Sequence, residues 1–182
     1  MSESLRPADF LPHRPPMIML AELISVDVPG EASAVADTSS GCIFYDSELK
    51  GVPACAALEY MAQTMALAVG AEHRRRGQSP KVGFVLGTRR MEVKIATFES
   101  GKRYVANAKC VYGDDEFASF DCSITDPDGV TVAAENIRKP SLALRQALAN
   151  PQDETAVQPR CNVVQTIRRY HINPAVSLFS GI

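Results

Sequence analysis

The twenty residues from Gly51 to Gly70, GVPACAALEYMAQTMALAVG, constrain the chain most, because they form its one long stretch with helical spacing and little charge. Alanines at 54, 56, 57, 62, 66, 68 and 71 favour helix by propensity, and Leu58, Met61 and Met65 recur as a core stripe. A helix this apolar is expected to be buried on most of its sides, so the rest of the chain has to wrap it. Its single carboxylate is Glu59. The same-face neighbours of Glu59 are Cys55, Ala56, Ala62 and Gln63, mostly small, so the carboxylate is expected to overlook a slot.

The segments on either side read as strands. Met17 to Val28 is apolar enough for a central strand and closes at Pro29-Gly30, and Glu31 to Thr38 alternates as its hairpin partner. Ser39 to Lys50 is expected to be a loop carrying Phe44-Tyr45, and Gly51-Val52-Pro53 to begin the helix, with Pro tolerated in a first turn. The helix is expected to end between His73 and Gly77, where Arg74, Arg75 and Arg76 complement its dipole. Four strands follow: Lys81 to Ile95 with a bend near Gly87, Lys102 to Tyr112, Glu116 to Thr125, and Val130 to Ile137 after the turn Asp126-Pro127-Asp128-Gly129. Residues 1–10 read as irregular or a short helix. The domain is expected to span 1–140, with a short helix at Ser141–Ala149 opening a tail, 141–182, that pattern alone does not assign.

Composition narrows the function. A chain of 182 residues with 46% hydrophobic content suits one ordinary core, and a net charge of −2 argues against a general nucleic-acid binder. Neither a basic-then-apolar leader nor a membrane-length apolar run is evident, so a cytoplasmic location and no membrane span are expected. The five cysteines, Cys42, Cys55, Cys110, Cys122 and Cys161, are scattered without metal-ligand spacing and are expected to be reduced. No metal or cofactor is expected. Cys55 stands out, since a first helical turn lowers a thiol pKa.

Two motifs at a suggestive separation are Leu11-Pro12-His13-Arg14-Pro15-Pro16-Met17 and Pro53 through Glu59-Tyr60-Met61-Ala62-Gln63. Together they resemble the LPHR-x-P-F and PG-x-x-x-x-EAMAQ segments of the beta-hydroxyacyl-acyl-carrier-protein dehydratase family. The resemblance covers about residues 9–140 and implies an α+β hot-dog fold, in which a curved antiparallel sheet wraps one long central helix. It further implies elimination of water from a 3-hydroxyacyl thioester on a phosphopantetheine arm, giving the trans-2-enoyl thioester in fatty-acid or polyene synthesis. On this resemblance Glu59 is the helix carboxylate that protonates the leaving hydroxyl, with its pKa raised by an apolar acyl tunnel. The backbone amides of Ala54 and Cys55 would stabilise the enolate-like oxygen, where the family has Gly at the first of these positions. A Glu satisfied by Gln63 in a structural core is the plainer alternative.

One position departs from the family pattern. The base histidine of a GHFPG-like segment falls fourteen residues before the helix Glu, and here that position is Tyr45. A tyrosine is a poor base at neutral pH but can orient a ligand through its hydroxyl. Three accounts stay open: a heterodimeric dehydratase whose second hot-dog chain supplies the His, as in the aryl-polyene-type branch that the GVPAxxALEYMAQ form resembles; His13 as the base; or an acyl-binding scaffold subunit. A hot-dog thioesterase using Glu59 to activate water is a fourth. Tyr45 and Gln63 are the further substrate-contact candidates. Arg74, Arg75, Arg76, Arg89 and Arg90, with Lys81 and Lys94, are candidates to dock an acidic acyl carrier protein near one tunnel mouth, against the alternative of a solvated face. Dimerisation, with itself or with a second hot-dog protein, is expected.

Overall fold

A computed structural model describes residues 5–80, 83, 85, 87, 88, 90–113 and 118–136. The expected helix at Ser141–Ala149, the tail 141–182, the end of the last strand at Ile137, Cys161 and part of the stretch 81–89 lie outside the described residues.

Among the described residues there are eight strands and one long helix: β1 Leu20–Ser25, β2 Glu31–Ala36, β3 Gly51–Pro53, α1 Ala57–Arg75, β4 Arg90–Val93, β5 Thr97–Glu99, β6 Val105–Gly113, β7 Ala118–Thr125 and β8 Thr131–Asn136. Six of the strands form one sheet in the order β1-β2-β6-β7-β8-β4, and β3 pairs with β5 in a second, two-stranded sheet. All pairings are antiparallel. Helix α1 lies against β6, β2, β7 and β1, so the large sheet curves around it. This is the expected α+β hot-dog arrangement.

The helix is buried along almost all of its length, Tyr60, Met61, Leu67, Gln63 and Thr64 being wholly inaccessible. The sheet meets it with small side chains, Ala32, Ala34 and Ala36 on β2 and Ala106 and Ala108 on β6, all buried. Small residues on both surfaces bring a helix and a sheet close together, which suits a chain whose central helix is rich in alanine. Edge-to-face contacts of Phe98 with Tyr60 and with Tyr104, at 5.3 and 5.1 Å between ring centroids, close the core beside the helix start.

Two expectations about the helix entry are corrected. Gly51, Val52 and Pro53 do not begin the helix; they form β3, paired with Glu99, Phe98 and Thr97 of a strand that the sequence reading had not separated. Gly51 is what makes the pairing possible, since a side-chain carbon there would lie 2.3 Å from the Phe98 carbonyl oxygen. The chain then turns through a 3-10 segment, Ala54–Ala56, into α1. The first strand is also shorter than Met17–Val28. At its start, the Met17 carbonyl and the Met19 amide are bonded to the Gln63 side chain instead of to a neighbouring strand.

The segment before β1 is fastened to the helix at two places. Its Phe10 backbone packs so closely on Gly70 that a side-chain carbon at 70 would stand 2.1 Å from the Phe10 carbonyl oxygen. Seven residues along, Met17 meets Gln63. Residues 10–19 therefore run antiparallel to α1 over two turns, and Arg14 closes the loop by donating to the carbonyls of Leu11, Pro12 and His13 at 3.2, 3.2 and 2.8 Å. At the far end of the helix Arg75 donates to the carbonyls of Val26 and Asp27, tying the β1–β2 hairpin to the last turn.

Candidate active site

Glu59 sits in the first turn of α1 and retains 8% of its accessible surface. Its Oε1 accepts a hydrogen bond from Gln63 Nε2 at 2.8 Å, and no other hydrogen bond or ion pair to it forms among the described residues. Burial raises the carboxyl above its ordinary range, with the Gln63 bond pulling weakly the other way. A carboxyl in this state holds its proton to higher pH than a solvated one and is suited to give it to a leaving oxygen.

Gln63 is a clamp. Its Oε1 accepts from the Met19 amide at 2.9 Å, while Nε2 donates both to the Met17 carbonyl at 2.7 Å and to Glu59. With both donor hydrogens and the oxygen engaged by protein, it fixes the rotamer of Glu59 and is not placed to contact substrate as the sequence reading had expected. Beyond Gln63 that helix face is covered by residues 10–19.

The helix start corrects a second expectation. The Ala54 amide donates to the Ala96 carbonyl at 3.0 Å as an extension of the β3–β5 ladder, so it is not available to a developing oxyanion. The amides of Cys55 and Ala56 come next, at positions whose N–H groups have no partner earlier in the helix. Both also lower the pKa of the Cys55 thiol, which is half-exposed. The thiol itself is pushed up by burial, which outweighs those two amides, and the lowered pKa expected from its first-turn position is not found.

His13 is nearly buried, and neither ring nitrogen has a hydrogen-bond partner among the described residues. Burial lowers its pKa below the usual imidazole value. It lies in the middle of the segment fastened at Gly70 and Gln63, which places it one to two helical turns beyond Glu59 and behind the clamp. The structure does not bring the two together. Tyr45 is half-buried against the core, in a loop held by its own amide to the Cys42 carbonyl at 2.9 Å and closed by reciprocal Asp46–Gly51 backbone bonds. Its hydroxyl makes no hydrogen bond among the described residues.

The basic candidates among the described residues are spread over separate elements. Arg74, Arg75 and Arg76 end α1, about 22–26 Å from Glu59 at 1.5 Å per residue. There Arg74 lies over the Phe10 ring at 5.4 Å, and Arg75 and Arg76 pair with Glu72 at 3.2 and 3.0 Å. Arg90 pairs with Glu92 at 3.5 Å on β4. Exposed Lys94 stands two residues from Ala96 and so on the side of the helix start. Arg89 and Lys81 lie outside the described residues. Among the described residues no helix is long and apolar enough to cross a membrane.

The sequence reading missed the parts of the site that are main chain: the Met17 carbonyl, the Met19 amide and the Ala96 carbonyl. Only the Pro-rich run ahead of Met17 hinted that this backbone had a fixed course.

Comparison with known proteins bears on the fold and the family. Among solved structures the chain is similar to the dehydratase heterocomplex ApeI:P from Xenorhabdus doucetiae, with a TM-score of 0.66 and 23% identity over 81% of this chain and 99% of that one. At that identity the likeness is one of fold. More distant are the E. coli PaaI protein from the phenylacetic acid degradation operon, with a TM-score of 0.44 and 15% identity over 64% of this chain and 82% of that one, and a hypothetical thioesterase protein with coenzyme A from Streptococcus pneumoniae TIGR4, with 0.45 and 13% over 64% and 80%. Neither carries an argument at that score. No curated protein matches the sequence. A family model described as ApeP-like, ApeP dehydratase, matches residues 5–149, a span that takes in the Pro-rich segment, the whole of α1 and the Glu59–Gln63 clamp, and by that match the chain belongs to the ApeP-like dehydratase family.

Proposed function

We propose that the chain is the carboxylate-bearing subunit of a dehydratase that acts on 3-hydroxyacyl thioesters carried on the phosphopantetheine arm of an acyl carrier protein. The observation that carries this reading is Glu59: a buried carboxyl with raised pKa, bonded to Gln63, with no cationic side chain paired to it among the described residues. In the elimination a base takes the C2 proton, electron density moves onto the thioester oxygen, and the C3–O bond breaks as Glu59 protonates the departing hydroxyl. Water leaves and a trans C2–C3 double bond remains. The Cys55 and Ala56 amides, at the start of the helix, would stabilise the charge that develops on the thioester oxygen.

The base comes from a second hot-dog chain. Position 45 holds tyrosine, and His13 stands behind the Gln63 clamp. The similar ApeI:P structure is a complex of two different proteins, and that arrangement fits a site with one half of its acid/base pair missing. Exposed Lys94, on the side of the helix start, is better placed than Arg74–Arg76 to meet an acidic carrier near the Glu59 end of the helix.

The test is reconstitution. Purified alone, the chain should dehydrate a 3-hydroxyacyl thioester at or near background, and adding a His-bearing hot-dog partner from the same source should restore turnover. Glu59→Gln in the complex should abolish it. If Glu59→Gln leaves the restored rate intact, the chain is a scaffold subunit; full activity of the chain alone would put the base within it.

A further inference from the structure

Tyr60 follows Glu59 on the first turn of α1 and is wholly inaccessible, yet it carries a hydroxyl into the interior. That hydroxyl donates to the Asp37 carbonyl at 2.7 Å, and the Cys42 side chain meets it as well. Burial pushes its pKa far above the ordinary range, so it remains a donor at any working pH. The Cys42 carbonyl in turn accepts from the Tyr45 amide at 2.9 Å, and Asp46 and Gly51 exchange backbone bonds at 2.8 and 3.2 Å. The backbone at position 45 is therefore held from two sides, through Cys42 to the helical turn that bears Glu59 and through Asp46 to β3. Tyr45 itself is half-buried, while its hydroxyl has no hydrogen bond among the described residues and is not closed off from solvent. A phenol on a fixed backbone thus keeps its donor open. Tyr60 and Tyr45 are also two of the positions at which the chain departs from the family pattern, which has Ala and His there.

We propose that Tyr60 is a positioning residue that holds Tyr45 as a substrate contact, the Tyr45 hydroxyl donating a hydrogen bond to a carbonyl of the thioester-linked arm. This rests on the dehydratase reading. The Tyr60 hydroxyl fastens the loop where it leaves β2, at Asp37, and again at Cys42, the residue that holds the Tyr45 amide. Without it the loop can shift against the turn that carries Glu59, and the Tyr45 hydroxyl is no longer fixed relative to the reacting carbons. A contact to the arm is the same before and during the elimination, so its loss weakens binding and leaves the chemical step alone.

The test uses the complex purified with its His-bearing partner, a carrier-bound 3-hydroxyacyl thioester, and the variants Tyr45→Phe, Tyr60→Phe and the two combined. Each substitution removes a hydroxyl and keeps the ring. Tyr45→Phe should raise KM about fivefold, the scale of one neutral hydrogen bond, with kcat within about twofold of wild type. Tyr60→Phe should do the same, and the double variant should be no worse than the worse single one, because one residue acts through the other. Amide hydrogen exchange of residues 39–50 should quicken in Tyr60→Phe and keep the wild-type rate in Tyr45→Phe. Cys42→Ala loosens the same fastening from the loop side and should raise KM likewise, so the fastening is read even where Tyr60→Phe fails to fold. A lowered kcat at unchanged KM in Tyr60→Phe, effects of the two tyrosines that multiply, or a KM for Tyr45→Phe within about twofold of wild type would each overturn the inference and leave the dehydratase reading standing. Absence of turnover by the wild-type complex would refute the reading beneath it, and this inference with it.

Discussion

Replacing Gln63 by methionine tests the clamp directly. The volume and helix propensity are close to those of glutamine, so the substitution removes hydrogen bonds and little else. Three groups lose a partner: the Met19 amide at 2.9 Å, the Met17 carbonyl at 2.7 Å and Glu59 Oε1 at 2.8 Å. Each buried polar group left unpaired costs about 1–3 kcal/mol. Glu59 recovers part of its share by staying protonated, and the Met17 carbonyl by its half-exposed setting, so the sum should fall at about 3–4 kcal/mol. That is a large part of the 5–15 kcal/mol that typically holds a domain together. Urea denaturation followed by circular dichroism should show a lower midpoint at unchanged slope. A second readout separates clamp from filler: in the reconstituted complex kcat should fall even at temperatures where the variant remains folded, because Glu59 is no longer held in one rotamer. A loss of stability under about 1 kcal/mol would mean that Gln63 does not bear these three bonds in solution, and the account of how Glu59 is positioned would fail.

Gly70→Ala should destabilise by about 1–3 kcal/mol despite the better helix propensity of alanine, since the added carbon meets the Phe10 carbonyl at 2.1 Å and backbone must move; an unchanged melting temperature would contradict the close packing of residues 10–19 on α1. His13 and Glu59, both buried, act oppositely with pH. His13, with its folded pKa lowered, binds more protons unfolded, so its contribution is present above about pH 6.5 and is lost as pH falls through the folded value. Glu59, with its folded pKa raised, contributes stability that is fully present below its unfolded value near 4.5 and is lost as pH rises through the folded one. Denaturation midpoints across pH 4–8 should therefore show His13→Leu removing an acid-side loss and Glu59→Gln removing a neutral-side loss; the same pH profile in both variants would refute the assignments. Arg75→Ala should cost about 1 kcal/mol by freeing the β1–β2 hairpin from the helix end, whereas Arg76→Ala, an exposed pair, should cost under about 0.5 kcal/mol.

Much of this was legible in the chain itself. The alanine-rich helix with one carboxylate announced a buried rod, and the alternation of Ala32, Ala34 and Ala36 and of Phe120, Cys122 and Ile124 announced strands with one covered face, because burial imposes those periods. The short ladder β3–β5 was not legible: Gly51-Val52-Pro53 carries a helix-start signal in Pro53, and its pairing depends on a backbone approach at Phe98 some fifty residues away. For the same reason Ala54 was assigned to the oxyanion and turned out to serve the ladder. Gln63 was visible as a neighbour of Glu59 by helical spacing, but its hold on Met17 and Met19 was not, since it joins a side chain to main chain that has no identity in sequence. Where the basic residues would lie was not legible either, because proximity in sequence order says nothing about which end of a helix about 28 Å long each occupies.

The central claim is that Glu59 supplies the acid and another chain the base. It is tested most directly by single-turnover dehydration in the reconstituted two-chain complex, comparing wild type with Glu59→Gln in this chain and with the histidine of the partner replaced by alanine. Each substitution alone should abolish formation of the enoyl thioester while the complex stays assembled. Turnover that survives Glu59→Gln, or that persists without the partner, would contradict the account.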